Sequence, residues 1–130
     1  MIHKYPHTVA ELERISPMLW LAANYFEQQS LLLANIEPTI TRIFGLIEGD
    51  SEVHSKGRAI DFRDHYDGDF TYSPIIREQL LDRVNQMFPR GDGHQTLIWH
   101  RFGDGPSHFH LQVSWNVSVY VSMLGLRSKA

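Results

Sequence analysis

Two segments of alternating apolar and polar residues, separated by a turn, constrain the fold of this chain more than any other feature. They are QTLIWHRF and HFHLQVSW, and the residues GDGPS between them are typical of a tight turn. The pattern predicts two antiparallel strands of a hairpin. Residues two apart on a strand point to the same face, so His108 and His110 share one side of the sheet while Phe109 faces the other.

Two longer helices are predicted beside this sheet. Ser16 and Pro17 form an N-cap and a first-turn proline, and apolar residues then recur at helical spacing to about Ser30. Ser73 and Pro74 repeat this start signal. The apolar face that follows consists of Ile75, Ile76, Leu80, Leu81, Val84 and Phe88, and Pro89 ends it.

Two further strands are predicted at 38–46 and 117–123, where apolar and polar residues alternate. The polar segment 64–72, DHYDGDFTY, predicts a loop. Its acidic residues Asp64, Asp67 and Asp69 lack the complete ligand pattern of a calcium loop, so we expect them to be solvated. Helices gathered beside a mostly antiparallel sheet make this an α+β protein.

Composition narrows the classes of function. The 130 residues suffice for one domain, and 42% hydrophobic with 21% charged residues are typical of a globular protein. A net charge of −3 without basic clusters argues against nucleic-acid binding. Because cysteine is absent, any metal must be held by histidine and carboxylate. The sequence shows neither a membrane span nor a signal peptide, so we expect a protein that is cytoplasmic as synthesised.

His54 and Asp61 stand on either side of Gly57 with six residues between them. Three arrangements would use that spacing: a hydrogen-bonded pair that closes a loop, a general base with its orienting carboxylate, or two ligands of one metal ion. His108 and His110 on their own could be exposed residues of a sheet surface. Taken together, two histidines and one aspartate would satisfy a catalytic zinc site, which has three protein ligands and an open fourth position.

The motifs HSKGRAID and HFH resemble those of the zinc peptidases of the lysostaphin, D-Ala-D-Ala metallopeptidase and sonic hedgehog type. They are most similar to the D-Ala-D-Ala and L-alanyl-D-glutamate peptidase branch. The resemblance spans 39–113 in the order and type of its elements. It implies a single zinc peptidase-like domain over 1–130 with a hedgehog or D-Ala-D-Ala-peptidase-like fold. It also implies that His54, Asp61 and His110 bind zinc and that the substrate is a peptidoglycan stem peptide.

The same resemblance implies the catalytic roles. His108 lies beside the metal, and Arg42 stands where related enzymes orient a substrate carboxylate or polarise a carbonyl. Those peptidases commonly place a catalytic Glu or Asp three residues before the last ligand, but this chain has Ser107 there. We expect position 107 to come near the metal, and Asp104, His108 or His100 to transfer protons. Alternatively, the chain is a non-catalytic zinc-binding module that kept the ligands and lost the base.

Several other features are expected to play no part in the site. These are the RGD sequence at 90–92, interpreted as the end of a helix, and the histidines His3, His7, His65 and His94. Small size and a single domain suit a phage lysis or tail-associated enzyme, or a bacterial cytoplasmic form. The sequence leaves the oligomeric state and the cleaved bond open.

Overall fold

The computed structural model describes residues 1–12, 15–43, 58–66, 69–101 and 107–113. Its helices are α1 (His7–Leu12), α2 (Pro17–Ala34) and α3 (Pro74–Met87). Its strands are β1 (Ile2–His3), β2 (Thr39–Arg42), β3 (Ala59–Arg63), β4 (His65–Tyr66), β5 (Asp69–Phe70), β6 (Leu97–Arg101) and β7 (Ser107–Gln112). The predicted α+β class is confirmed. The hedgehog-like fold stays a prediction.

Five of these strands form a mixed sheet in the order β1-β2-β3-β7-β6. The β1 and β2 strands run parallel, whereas the pairs β2 with β3, β3 with β7 and β6 with β7 are antiparallel. The predicted hairpin of β6 and β7 is therefore confirmed. The strand predicted at 38–46 is present as β2, while 44–46 and the strand predicted at 117–123 lie outside the described residues.

Helix α2 begins and ends with caps. The Ser16 hydroxyl accepts a hydrogen bond from the Leu19 amide at 3.2 Å, which satisfies one of the free N–H groups of the first turn. The helix continues past the predicted end at Ser30 because 31–34 contain no residue that breaks a helix. Asn35 ends it in the left-handed region, with φ of 54°, and donates its N–H to the Leu31 carbonyl.

Helix α3 starts at the predicted Ser73 cap, whose hydroxyl accepts from the Ile76 amide. Leu80 and Val84 are buried on one face, but Ile75 is 72% exposed, so its predicted place on that face is wrong. Leu80 comes five positions after Ile75, and on a helix this offset places Ile75 well away from the buried face.

The side chain of Asn85, on helix α3, bonds the edge strand β6. Its Nδ2 donates to the Leu97 carbonyl at 3.0 Å, and its Oδ1 accepts from the Leu97 amide at 2.9 Å. One side-chain amide thus pairs with both backbone groups of a strand residue.

The hydrophobic core lies between the helices and one face of the sheet. Phe26 of α2 stacks on Phe62 of β3 with ring centroids 4.5 Å apart and lies 5.4 Å from Phe109 of β7. The larger fully buried side chains are Tyr72, Phe26, Phe62, Phe88, Phe109, Leu19, Ile40, Ile43, Ile60, Leu80, Leu97 and Leu111. None of the helices in the described ranges combines the length and apolar character needed to span a bilayer.

The segment 64–72 is more structured than predicted. β4 and β5 pair as a short hairpin, and Asp64 is fully buried rather than solvated. Its carboxylate accepts from the Tyr72 amide at 3.1 Å, from Arg77 Nε at 3.2 Å and from Trp99 Nε1 at 2.6 Å. Burial raises the pKa of Asp64, and these three donors oppose that rise. Asp69 is exposed, as expected, and Asp67 lies outside the described residues.

Candidate functional site

The two faces of the sheet differ in how deeply their side chains are buried. Along β7, Ser107, Phe109 and Leu111 are buried toward the core, whereas His108 and His110 are only partly buried on the opposite side. Directly paired residues of neighbouring strands share a face. The pairs Asp61 with His110 and His100 with His108 therefore bring three histidines and one aspartate together. We call this side, defined by Asp61, His100, His108 and His110, the histidine face.

Asp61 and His110 make the closest contact on the histidine face. Asp61 Oδ1 lies 2.8 Å from His110 Nδ1, although 49 positions separate the two residues in sequence. The other carboxylate oxygen, Oδ2, is 3.9 Å from His108 Nε2. The Asp61 and His110 side chains are only 8% and 15% exposed, so the pair is well shielded from water.

The hydrogen bonds of His110 depend on which ring nitrogen carries the proton. In one tautomer of the neutral ring, Nε2 carries the proton and donates it to Gln112 Oε1, which lies 2.8 Å away and accepts. A neutral imidazole has one N–H, which leaves Nδ1 as a lone pair facing the acceptor Asp61 Oδ1. In that tautomer a second proton or a metal ion would have to satisfy the contact with Asp61, whereas a proton on Nδ1 satisfies it as an ordinary hydrogen bond.

The electrostatics of His110 follow from the same contacts. Burial pulls the pKa of His110 down, but the hydrogen bond and the charge of Asp61, together with the bond to Gln112, more than offset this effect. Arg42 opposes them with its positive charge. The net result is a raised pKa for His110, so the pair attracts positive charge.

His100 and Arg42 border this pair. The ring of His100 packs edge-on against His108, with centroids 4.1 Å apart, and lies 5.9 Å from the ring of His110. Burial, and then the charges of His108 and His110, lower the pKa of His100, which favours its neutral form. Arg42 of β2 is the cross-strand partner of Asp61, next to a bulge between Ile40 and Arg42.

The structure brings four of the six predicted site residues into one region: Arg42, Asp61, His108 and His110. The other two, His54 and Asp104, lie outside the described residues. Within the described ranges, no three histidine, aspartate or glutamate side chains are grouped so as to hold a metal ion. Because the predicted zinc set includes His54, that set stays a prediction. The donors Asp61 Oδ1 and His110 Nδ1 are of the kind zinc prefers and are close enough to share one cation.

Position 107 does not face the metal-ligand candidates, so the expectation that it comes near the metal is wrong. Ser107 is 1% exposed on the core side of β7, opposite to His108 and His110. Side chains three positions apart on a strand point to opposite faces, so Ser107 and His110 lie on opposite sides of β7. Asp61 is the single acidic residue in β2, β3, β6 and β7.

A polar pocket of about 380 Å³ adjoins His110. Its lining comprises Arg90, Asp92, His94, Gln95, Ile98, His110 and Gln112. His94, which is expected to lie outside the site, lines this pocket, and that expectation stays a prediction. Gln112, which sequence reasoning missed, could have been found from its place two residues after His110, since that spacing puts both side chains on one face.

Comparison of the chain with family models, with curated proteins and with solved structures gives no match. The resemblance to zinc peptidases therefore rests on the residues of HSKGRAID and HFH alone.

Proposed function

We propose that this protein is a zinc-dependent peptidase that hydrolyses an amide bond in peptidoglycan stem peptides. The observation that carries the proposal is the contact of 2.8 Å between Asp61 Oδ1 and His110 Nδ1, which brings together two atoms of the kind that zinc prefers as ligands. The third protein ligand is His54, assigned from the motif HSKGRAID. A zinc ion held by these residues would act as a Lewis acid that polarises a carbonyl and lowers the pKa of a bound water to about 7.

His108 is the described residue best placed to move protons in this reaction. Its Nε2 is 3.9 Å from Asp61 Oδ2, so its ring borders the carboxylate that holds the cation. A neutral imidazole accepts a proton from the attacking water, and the imidazolium then returns it to the leaving amine. The depressed pKa of His100 supports this role, because a neutral ring beside His108 does not repel the charge that His108 gains. Asp104 is the alternative base.

Arg42 provides a positive charge beside Asp61 and His110. In the proposed reaction its guanidinium binds a substrate carboxylate or the carbonyl oxygen on which negative charge develops. We further propose that the protein is cytoplasmic as synthesised, and that it is released or associated with a virion if a phage encodes it.

A non-catalytic zinc-binding module is the second candidate function. The core-facing position of Ser107 favours it, because the carboxylate that related peptidases place three residues before the last ligand has no equivalent on the histidine face. In this case the ligands would stabilise the fold or a cell-wall contact, without the carboxylate base that related peptidases use for hydrolysis.

Elemental analysis of protein purified without added metal, paired with the turbidity of isolated cell walls, separates the two candidates. We expect stoichiometric zinc and clearing of the walls. In Asp61→Asn, which keeps the shape of the ligand and removes its charge, zinc affinity should fall by more than about 100-fold, the upper range for residues that only support a ligand. The matched control is Asp69→Asn, at an exposed acid of β5, which should keep its zinc.

Each contrary result has a distinct meaning. Zinc without clearing of cell walls would support the binding module against the peptidase. A wild-type protein without zinc would contradict both candidates.

A further inference from the structure

Gln112 makes a side-chain contact with His110 that the proposed reaction does not explain. Its Oε1 lies 2.8 Å from His110 Nε2, on the ring nitrogen opposite the one that faces Asp61. Gln112 is also the last residue of β7 and lies on the histidine face, two residues after His110.

The backbone of Gln112 is fixed from several sides. Its amide donates to the Thr96 carbonyl at 2.8 Å, and its carbonyl accepts from Arg90 Nη1 at 3.5 Å. Across the sheet, its partner on β3 is Ala59. The side-chain amide therefore starts from a well-defined position beside the imidazole.

The tautomer of His110 decides whether it can bind a metal. A carboxylate beside Nδ1 favours a proton on Nδ1, and that proton occupies the lone pair a metal would need. An acceptor beside Nε2 favours the opposite tautomer, in which Nε2 carries the proton and Nδ1 is open. Asp61 and Gln112 thus pull the proton of His110 toward opposite nitrogens.

We propose that Gln112 is a positioning residue that holds His110 in the Nε2–H tautomer, so that Nδ1 offers its lone pair to the cation shared with Asp61. The inference rests on the proposed function, because it concerns the same zinc site. A residue that supports a metal-binding histidine in this way typically contributes about 10–100-fold to metal affinity. Gln112 acts through His110 and contacts no reacting atom.

Three variants test whether Gln112 positions His110. Their zinc affinity is measured by competition with a chromophoric chelator. Gln112→Leu removes the acceptor at similar size and should weaken zinc binding by about 10–100-fold. Gln112→Glu offers oxygen atoms that only accept, so it should keep the wild-type affinity or exceed it. Gln95→Leu changes a second glutamine of the pocket for which no contact with His110 is described, and it should have no effect.

Nuclear magnetic resonance of the zinc-loaded proteins gives a second measurement, independent of activity. The His110 Nε2–H proton should be protected from exchange in the wild type and in Gln112→Glu, and should exchange faster in Gln112→Leu. A purely structural role predicts instead that the Leu and Glu variants lose affinity equally, and that result would overturn the proposal.

Different results would contradict the role of Gln112 and the proposed function. If the wild type binds zinc and Gln112→Leu binds it equally well, only the role of Gln112 is overturned. If the wild type binds no zinc, the proposed function fails and the role of Gln112 falls with it.

Discussion

At the scale of single residues, Asp92 shows how one neighbour can control a charge beside the proposed site. Two nitrogens of Arg90 donate to its carboxylate, and the His94 amide donates to the same group. The hydrogen bonds from Arg90 are the largest influence, and together these contacts lower the pKa of Asp92 to about 2. The RGD sequence, interpreted from its pattern as the end of a helix, is thus also an ion pair at the rim of the polar pocket.

We expect the Asp92 carboxyl to titrate at about 2 instead of its ordinary value of 3.8. Because the pKa is lower in the folded state, the pair's contribution to stability is complete above 3.8 and is lost as the pH falls through about 2. The carbon chemical shift of the carboxyl group, followed by NMR over the pH range in which the protein stays folded, measures this. In Arg90→Gln the value should rise toward 3.8. A wild-type carboxyl that already titrates there would contradict the assignment.

The residues of the histidine face could be predicted where a strand period decided them. His108 and His110 follow the period of two, and the sequence GDGPS before them is typical of a turn, so their common face on a hairpin strand was predictable. Ser107 was misplaced because a motif spacing of three was applied to a strand, where it points to the core. The contact of Asp61 with His110 required the pairing of β3 with β7, which no local pattern contains.

At the scale of secondary-structure elements, Asp64 connects three segments that are distant in sequence. Its carboxylate accepts from Tyr72 after β5, from Arg77 of α3 and from Trp99 of β6. The guanidinium of Arg77 also lies 4.2 Å from the ring of Trp99. The sequence predicts a solvated Asp64 because no local pattern reveals its partners. The donors Tyr72, Arg77 and Trp99 come from different segments, and only the tertiary structure brings them together.

Replacement of Asp64 by alanine should lower the free energy of unfolding by about 3–5 kcal/mol, the usual loss when one partner of a buried ion pair is removed. The loss arises because Arg77, Trp99 and Tyr72 would each keep a donor without an acceptor. Urea denaturation monitored by tryptophan fluorescence measures it. Asp69 of the same segment is exposed, so Asp69→Ala is the matched control and should change stability by less than about 0.5 kcal/mol. Equal effects of the two substitutions would show that Asp64 does not connect these elements.

At the scale of the whole molecule, the proposed zinc site joins parts of the sheet that are far apart in sequence. Asp61 and His110 lie on neighbouring strands, so the ion would bind the folded chain and not the unfolded one. Free zinc at about 100 times its dissociation constant should then add about 2.7 kcal/mol to the stability. For a chain of this length, that corresponds to a rise in the thermal midpoint of about 10 °C.

Calorimetry with and without zinc measures the shift, and Asp61→Asn should abolish it. Magnesium at the same concentration is the control for a nonspecific effect, because it prefers oxygen ligands in an octahedral site. An equal rise with magnesium, or a rise that persists in Asp61→Asn, would place the stabilising ion elsewhere.

The amide pair between Asn85 and Leu97 also bears on how copies of this protein behave at high concentration. In the described sheet, β6 is the outermost strand on its side, and an outer strand can serve as a template for a strand of another molecule. Asn85 already occupies the N–H and C=O of Leu97 that such a strand would use. A helix side chain therefore blocks the pairing of another strand at Leu97, next to Ile98, which is 37% exposed.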